Sequence, residues 1–283
     1  MKKFTKGHWP LYDKTISRSV EQILNKHRKT FNQTKHSQYV SQYRKWLKSS
    51  KENVIKGLDE FKYANFSYGT TTAIAEFIHR NNSRTLRMFK DDFLLTKILS
   101  RTYQHKLKYI EDGKIGKNDC VVTSVPFTGN GSMHPQFGQL LDQCDKHDVP
   151  VLIDGAYFGI AKGITYPLDR KCIQEFTTSH SKNYGVQDLR IGIRFSKQFI
   201  DDALNVPVQM GDCHNKLGAC IGINLMKQYP ADYIINKYFF KYWEICETNN
   251  LTPTNTITLA IGKDKKFQRG SYVRVCISKA LVT

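Results

Sequence analysis

With 283 residues, 40% of them hydrophobic and 12% aromatic, the chain is long enough to bury a substantial core, as one large domain or as one with a small appendage. Its mean hydropathy is negative, and no apolar run approaches the roughly 20 residues a membrane span requires. The net charge of +18 excludes less: it suits lysine-rich helix faces, a phosphate-bearing partner, or the steering of anionic small molecules.

The opening stretch, MKKFTKGHWPLYDK, starts with lysines but has no continuous apolar segment behind them, so a secretory signal is not expected. Residues 1–60 carry 14 Lys/Arg against 5 Asp/Glu, half of the whole chain's surplus. We read them as a basic helical segment. Ile16, Val20, Ile23, Leu24 and Phe31 recur at helical spacing over 16–31, and a second amphipathic helix is predicted over 36–61 from Tyr39, Val40, Tyr43, Trp46, Leu47, Val54, Ile55 and Leu58.

The texture then changes. Short apolar runs at 85–89, 120–127, 149–154, 175–179 and 190–195 read as strands, with a crossover helix over 136–147 between the second and third. That alternation predicts an α/β fold, a three-layer large domain over 61–198 with a mostly parallel central sheet. From 199 to 283 a long aromatic helix (232–250) is followed by LTPTNTITLAIG and SYVRVCIS, which we read as a small α+β C-terminal subdomain. The seven cysteines (Cys120, Cys144, Cys172, Cys213, Cys220, Cys246 and Cys276) are scattered without a CxxC pair. This argues for reduced thiols in a cytoplasm and against a zinc site or a disulfide framework. No zinc-finger or RNP signature speaks for nucleic-acid recognition.

Ligands in parallel sheets sit beyond the carboxyl ends of the strands, so the polar residues there carry the functional reading. In FSYGTTTAIAEFI, Gly69, Thr70 and Thr71 open an apolar helix. Such a start can cradle a phosphate, although a plain threonine cap would need only one hydroxyl. In VPVLIDGAYFG, Asp154 closes a buried run and Tyr157 follows, where the acid could equally cap the next turn. In TTSHSKNYGVQDLRIGIRF, Ser179, Ser181 and Lys182 precede Arg190. A desolvated lysine becomes a nucleophile toward aldehydes, and an arginine suits a phosphate dianion, yet a solvated lysine in a polar loop would look the same. In SYVRVCIS, Arg274 lies within a late strand, facing either a site or solvent. Taken jointly, these clusters describe one ligand with a phosphate, an aldehyde and a ring nitrogen to be kept protonated. Pyridoxal 5′-phosphate (PLP) has all three.

The combination resembles the fold-type I PLP-dependent aminotransferases, the aspartate aminotransferase superfamily of classes I and II, as a short and divergent member. Ser179, Ser181, Lys182, Gly185, Arg190 and Gly192 match its Ser-x-Ser-Lys-x-x-Gly and Leu-Arg-Ile-Gly pattern. Asp154, Ala156 and Tyr157, the loop Gly69–Thr71, and the pair Arg274 and Ser278 match in family order. The resemblance implies that Lys182 holds PLP as a Schiff base and moves the substrate proton, that Asp154 pairs with the ring nitrogen, and that Tyr157 donates to the ring oxygen. It further implies that Gly69, Thr70, Thr71, Ser179, Ser181 and Arg190 bind phosphate, that Phe93 stacks on the ring, and that Arg274 clamps the substrate carboxylate. The implied activity is amino transfer between an amino acid or amine and a 2-oxo acid, in a cytoplasmic homodimer with no metal and no membrane partner. The site would lie at the dimer interface, where Tyr39 or Tyr43 would reach the neighbouring subunit's phosphate. A decarboxylase, a β/γ-lyase, or a degenerate basic PLP-fold protein with a binding role fits the same motifs. The chain departs from the family where Pro126 replaces an asparagine that bonds the ring oxygen, a role we assign to Asn130 in the same loop, and where Asp188 replaces a glycine.

Overall fold

A computed structural model describes residues 4–283. The chain enters as an extended segment and then forms helices α1 (Lys14–His27) and α2 (His36–Lys48), followed by strands β1 (Val54–Lys56) and β2 (Tyr63–Tyr68). Helix α3 (Thr70–Arg80), β3 (Thr85–Met88), α4 (Leu94–Thr102), β4 (Leu107–Tyr109), β5 (Asp119–Ser124) and α5 (Phe137–Lys146) come next. Strands β6 (Val151–Asp154), β7 (Thr165–Pro167), β8 (Ile173–Ser179) and β9 (Ile191–Ser196) complete the central region. Helices α6 (Val206–Gly211), α7 (Lys216–Gln228) and α8 (Tyr233–Thr248) lead to β10 (Thr252–Pro253), β11 (Leu259–Ile261), β12 (Gln268–Arg269), β13 (Tyr272–Cys276) and α9 (Ser278–Val282).

The main sheet has seven strands in the order β2-β9-β8-β6-β5-β3-β4. Every pairing from β8 to β4 is parallel, and β9 alone runs against both its neighbours. The fold is therefore α/β with a mostly parallel central sheet, because strands such as β5, β6 and β9 are buried along their whole length and need helices on both faces. A second, antiparallel sheet (β10-β11-β13-β12) lies in the C-terminal part.

Two local expectations change. The helix expected over 36–61 stops at Lys48, and Val54 and Ile55 instead pair in parallel with Thr165 and Tyr166 of β7. Tyr39 and Tyr43, expected to reach a neighbouring subunit, are fully buried. The Tyr39 hydroxyl donates to the carbonyl of Gly192 at 2.8 Å, and Tyr43 stacks on His180 at 4.7 Å between ring centroids. Their aromatic face is the one that seats α2 on the sheet, so neither phenol is available to another chain.

Residues ahead of α1 are tied to both sheets. Thr5 pairs with Cys276 in an antiparallel bridge, the Ser278 hydroxyl donates to Trp9 O at 2.8 Å, and Leu11 N donates to Lys182 O at 3.2 Å. Asp13 then caps α1 by accepting from Ile16 N at 3.0 Å.

Candidate active site

A cavity of about 220 Å³ opens at the carboxyl edge of the main sheet, lined by Thr70, Phe93, Asp154, Tyr157, Lys182 and Arg190 among others. Topology explains the gathering. Asp154 ends β6, Ser179 ends β8, and the loops after β2, β3 and β5 deliver Thr70, Phe93 and Thr128 to the same edge. Since β9 is the reversed strand, its beginning lies at that edge too, which places Arg190 there.

One end of the cavity is built for an anion. Gly69 precedes α3 at φ +74°, and no side chain caps the helix, so its first N–H groups remain for a ligand. Thr70 and Thr71 line the cavity beside them. Arg190 itself takes a left-handed backbone (φ +53°), and its Nη2 donates to Tyr68 O at 3.0 Å and Thr71 Oγ1 at 3.1 Å. A methyl group at Gly69 would come within 2.7 Å of that nitrogen, and one at Gly192 within 2.8 Å of the Gly69 Cα. Two glycines are thus needed for the backbone to pass close to the guanidinium. The Ser179 and Ser181 hydroxyls, both buried, meet only at 3.4 Å, which leaves their hydrogen-bonding capacity largely free. Asp188 is exposed and makes no ion pair with Arg190 among the described residues.

In the same cavity, Asp154 is buried, and Oδ1 accepts from Ala156 N at 3.0 Å. Burial pushes its carboxyl up to about 7, helped by the nearby Asp92 charge and opposed by Ala156 N, Thr70 and Lys182. Such a group readily accepts a cationic partner, which would restore its ordinary ionisation. Tyr157, also buried, has its phenol pushed up to about 12 by burial, and its ring meets that of His8 edge-on at 4.7 Å. Phe93 forms a cavity wall. Asp92 positions it by accepting from Phe93 N at 2.7 Å and from Thr128 Oγ1 at 2.9 Å.

Lys182 lines this cavity as well. Burial pulls its ammonium down to about 8, and Arg274, Arg190 and Arg269 act in the same direction. Its Nζ donates to the backbone carbonyl of His8 at 2.8 Å.

Arg274 is fully buried on β13, with Nη1 donating to the carbonyl of Thr128. Its Nε and Nη2 are buried without a partner, although the residue does not itself form the cavity surface. Buried guanidinium nitrogens are costly to leave unmatched, and a carboxylate would satisfy them.

Asn130 does not take the place left by Pro126. Its Oδ1 accepts from Ser132 N at 2.8 Å, inside a turn closed by Gly131 N on Phe127 O, and it lies off the cavity wall. Thr128 lines the cavity instead. Sequence reasoning also missed His8, Gln187 and Arg269, all of which line it. Arg269 could have been noticed as a cation five residues before Arg274, but nothing in the sequence marks His8.

The observed groups fit PLP. An anion cradle, a depressed lysine amine and a raised carboxyl share one cavity, and the cradle is one that a single added Cβ would fill.

Residues 93–210 match the model of the family described as aminotransferase class I and II. No curated protein sequence matches the chain. Among solved structures, an aspartate aminotransferase mutant from Thermus thermophilus superposes with a TM-score of 0.69 at 12% identity, covering 98% of this chain and 92% of that one. A PLP-bound C-S lyase from Staphylococcus hominis gives 0.66 at 12% identity, over 97% and 88% of the two chains. An L-threonine-O-3-phosphate decarboxylase from Porphyromonas gingivalis gives 0.63 at 18% identity, over 98% and 95%. At these identities the superpositions speak for the fold. The chain therefore shares the fold of these structures, and its match to the aminotransferase class I and II model covers residues 93–210.

Proposed function

We propose that this protein is a PLP-dependent aminotransferase that moves an amino group between an amino acid, or a primary amine, and a 2-oxo acid. The observation that carries the reading is Lys182, an amine drawn down to about 8 in the same cavity as the Arg190 anion cradle and the buried Asp154. When bound, PLP supplies an aldehyde carbon that captures amines and a protonated ring that draws electrons from the carbon bearing the amine.

Under this reading the first turn of α3, with Thr70, Thr71, Ser179, Ser181 and Arg190, would hold the phosphate, and Asp154 would keep the ring nitrogen protonated. Phe93 would cover one face of the ring, and Tyr157 would donate to its oxygen. Lys182 Nζ has two tasks, as the covalent anchor and, once released, as the base that takes the proton from the substrate carbon and returns it elsewhere. A lysine near 8 suits the second task, since a base works best close to ambient pH. Arg274 offers its two unmatched nitrogens to the substrate carboxylate.

Structural neighbours that include a lyase and a decarboxylase favour a second reading, another PLP reaction on the same scaffold. Visible absorption of the purified protein, before and after borohydride and against Lys182→Ala, tests the anchor. A wild type that takes up no PLP, or a mutant that forms the same adduct, defeats it. Incubation with amino acids and 2-oxo acids then separates the reactions: amino exchange supports the first reading, and release of carbon dioxide, ammonia or sulfide the second. We further assign the protein to the cytoplasm, a reading supported by its seven free cysteines, six of them buried, and to a homodimer, testable by light scattering. Among the described residues no helix is long and apolar enough to cross a membrane.

A further inference from the structure

One cation in the cavity has no work in the scheme above. Arg269 lines it from β12, and among the described residues no side-chain hydrogen bond or ion pair engages its guanidinium. Asp91, on the loop that faces this hairpin, is occupied by Ser271 N at 2.8 Å. His8 lines the same part of the site. Its Nε2 lies 2.8 Å from Thr258 Oγ1, while its Nδ1 is buried without a partner. Arg269 is close enough to His8, Tyr157, Lys182 and Arg274 to shift the titration of each.

The charges in the site can be matched one by one. The cofactor phosphate would be held by Arg190 together with the uncapped N-terminus of α3, the ring nitrogen by Asp154, and the substrate's α-carboxylate by Arg274. Arg269 is left facing the cavity with nothing to neutralise it, beside a histidine nitrogen that also lacks a partner. A ligand that fills the cavity desolvates this unmatched cation at a cost, so a substrate that brings a second negative group is preferred to one that does not. We propose that Arg269, assisted by His8 Nδ1, forms a second anion subsite, and that the substrate is therefore an amino acid whose side chain carries a carboxylate or a phosphate ester. This deepens the PLP reading above and rests on it.

The test uses the PLP-loaded protein and follows its visible spectrum during titration with L-aspartate, L-glutamate and O-phospho-L-serine, with L-alanine and L-norvaline as neutral references. Wild type is expected to bind at least one anionic amino acid about tenfold or more tightly than the neutral ones, the range a charge-assisted hydrogen bond supports. Arg269→Ala and His8→Phe each reduce that ratio, the former to near unity, and Arg269→Lys recovers part of it. Tighter binding of the two dicarboxylates identifies a carboxylate subsite, and tighter binding of phosphoserine a phosphate subsite. Equal affinity for anionic and neutral amino acids in the loaded wild type, or a ratio unchanged in Arg269→Ala, overturns the subsite alone. Failure of Lys182 to take up PLP overturns the underlying reading together with it.

Discussion

The amine of Lys182 rests 2.8 Å from the carbonyl oxygen of His8, a residue 174 positions earlier in the chain. The side chain read as the covalent anchor is thus held by the backbone of the segment that crosses the cavity, and several outcomes can be derived from the groups around it.

The first concerns pH. Because burial and three arginines lower the Lys182 ammonium to about 8, its free-base form becomes dominant well below the usual lysine range. Attachment of PLP to the cofactor-free protein should speed up as pH rises and be half-way to its plateau near 8. Stopped-flow absorbance over pH 6–10 (about the range a lysine reference requires) checks this. A midpoint near that of an ordinary lysine would show that the depression is not present in solution.

The phosphate cradle gives the second. Gly69→Ala places a Cβ 2.7 Å from Arg190 Nη2 at a backbone φ of +74°. PLP affinity should fall by about tenfold or more, in keeping with the 1–3 kcal/mol that such strain costs. Gly192→Ala, whose Cβ meets backbone 2.8 Å away, should instead cost roughly 1–3 kcal/mol of stability by overpacking. Equilibrium dialysis and urea denaturation measure the two effects separately.

Asp154→Asn supplies the third. The amide fills the same space but cannot hold a proton on the ring nitrogen through charge. The variant should still attach PLP through Lys182 while its turnover drops by roughly a hundredfold or more, the scale of losing one preorganised electrostatic partner. Retained turnover would remove Asp154 from the chemistry.

A fourth lies away from the cavity. Arg80 and Arg194 both donate to Asp202, and Arg80 also pairs with Glu175, with Arg194, Glu175 and Asp202 almost wholly buried. Asp202→Ala strands a buried guanidinium and should destabilise the fold by about 3–5 kcal/mol. Chemical denaturation of the cofactor-free protein reads this directly.

How far the sequence disclosed this arrangement depended on where the information lay. Five of the seven strands of the main sheet were legible because burial on both faces demands short continuous apolar runs, and Asp154 and Ser179 fall where those runs end, whereas the edge strands β2 and β4 are only partly buried and gave no such run. Val54 and Ile55 were misleading. Their spacing continues the helical period of α2, but β7, more than a hundred residues later, offers them a strand partner that local periodicity cannot reveal. Tyr39 and Tyr43 carried no mark of whether their helix face would meet the protein's own sheet or another chain. His8 and Arg269 reach the cavity only because Thr5 bridges to Cys276 and because β12 pairs with β13, both long-range or edge contacts without a local signature.

The segment ahead of α1 touches Lys182 through His8 and Leu11, and the C-terminal region through Thr5 and Trp9, which meet Cys276, and through the His8 ring, which meets Thr258. Binding equilibria that share a contact are reciprocal. If filling the cavity loosens this segment, then anchoring the segment more firmly must weaken filling by the same factor, and the converse holds equally. Under that condition, protease sensitivity between Thr5 and Leu11 would report occupancy of the cavity that His8 helps to line, and a change at Thr5 or Trp9 would act on ligand affinity without altering the cradle, the lysine or the acid.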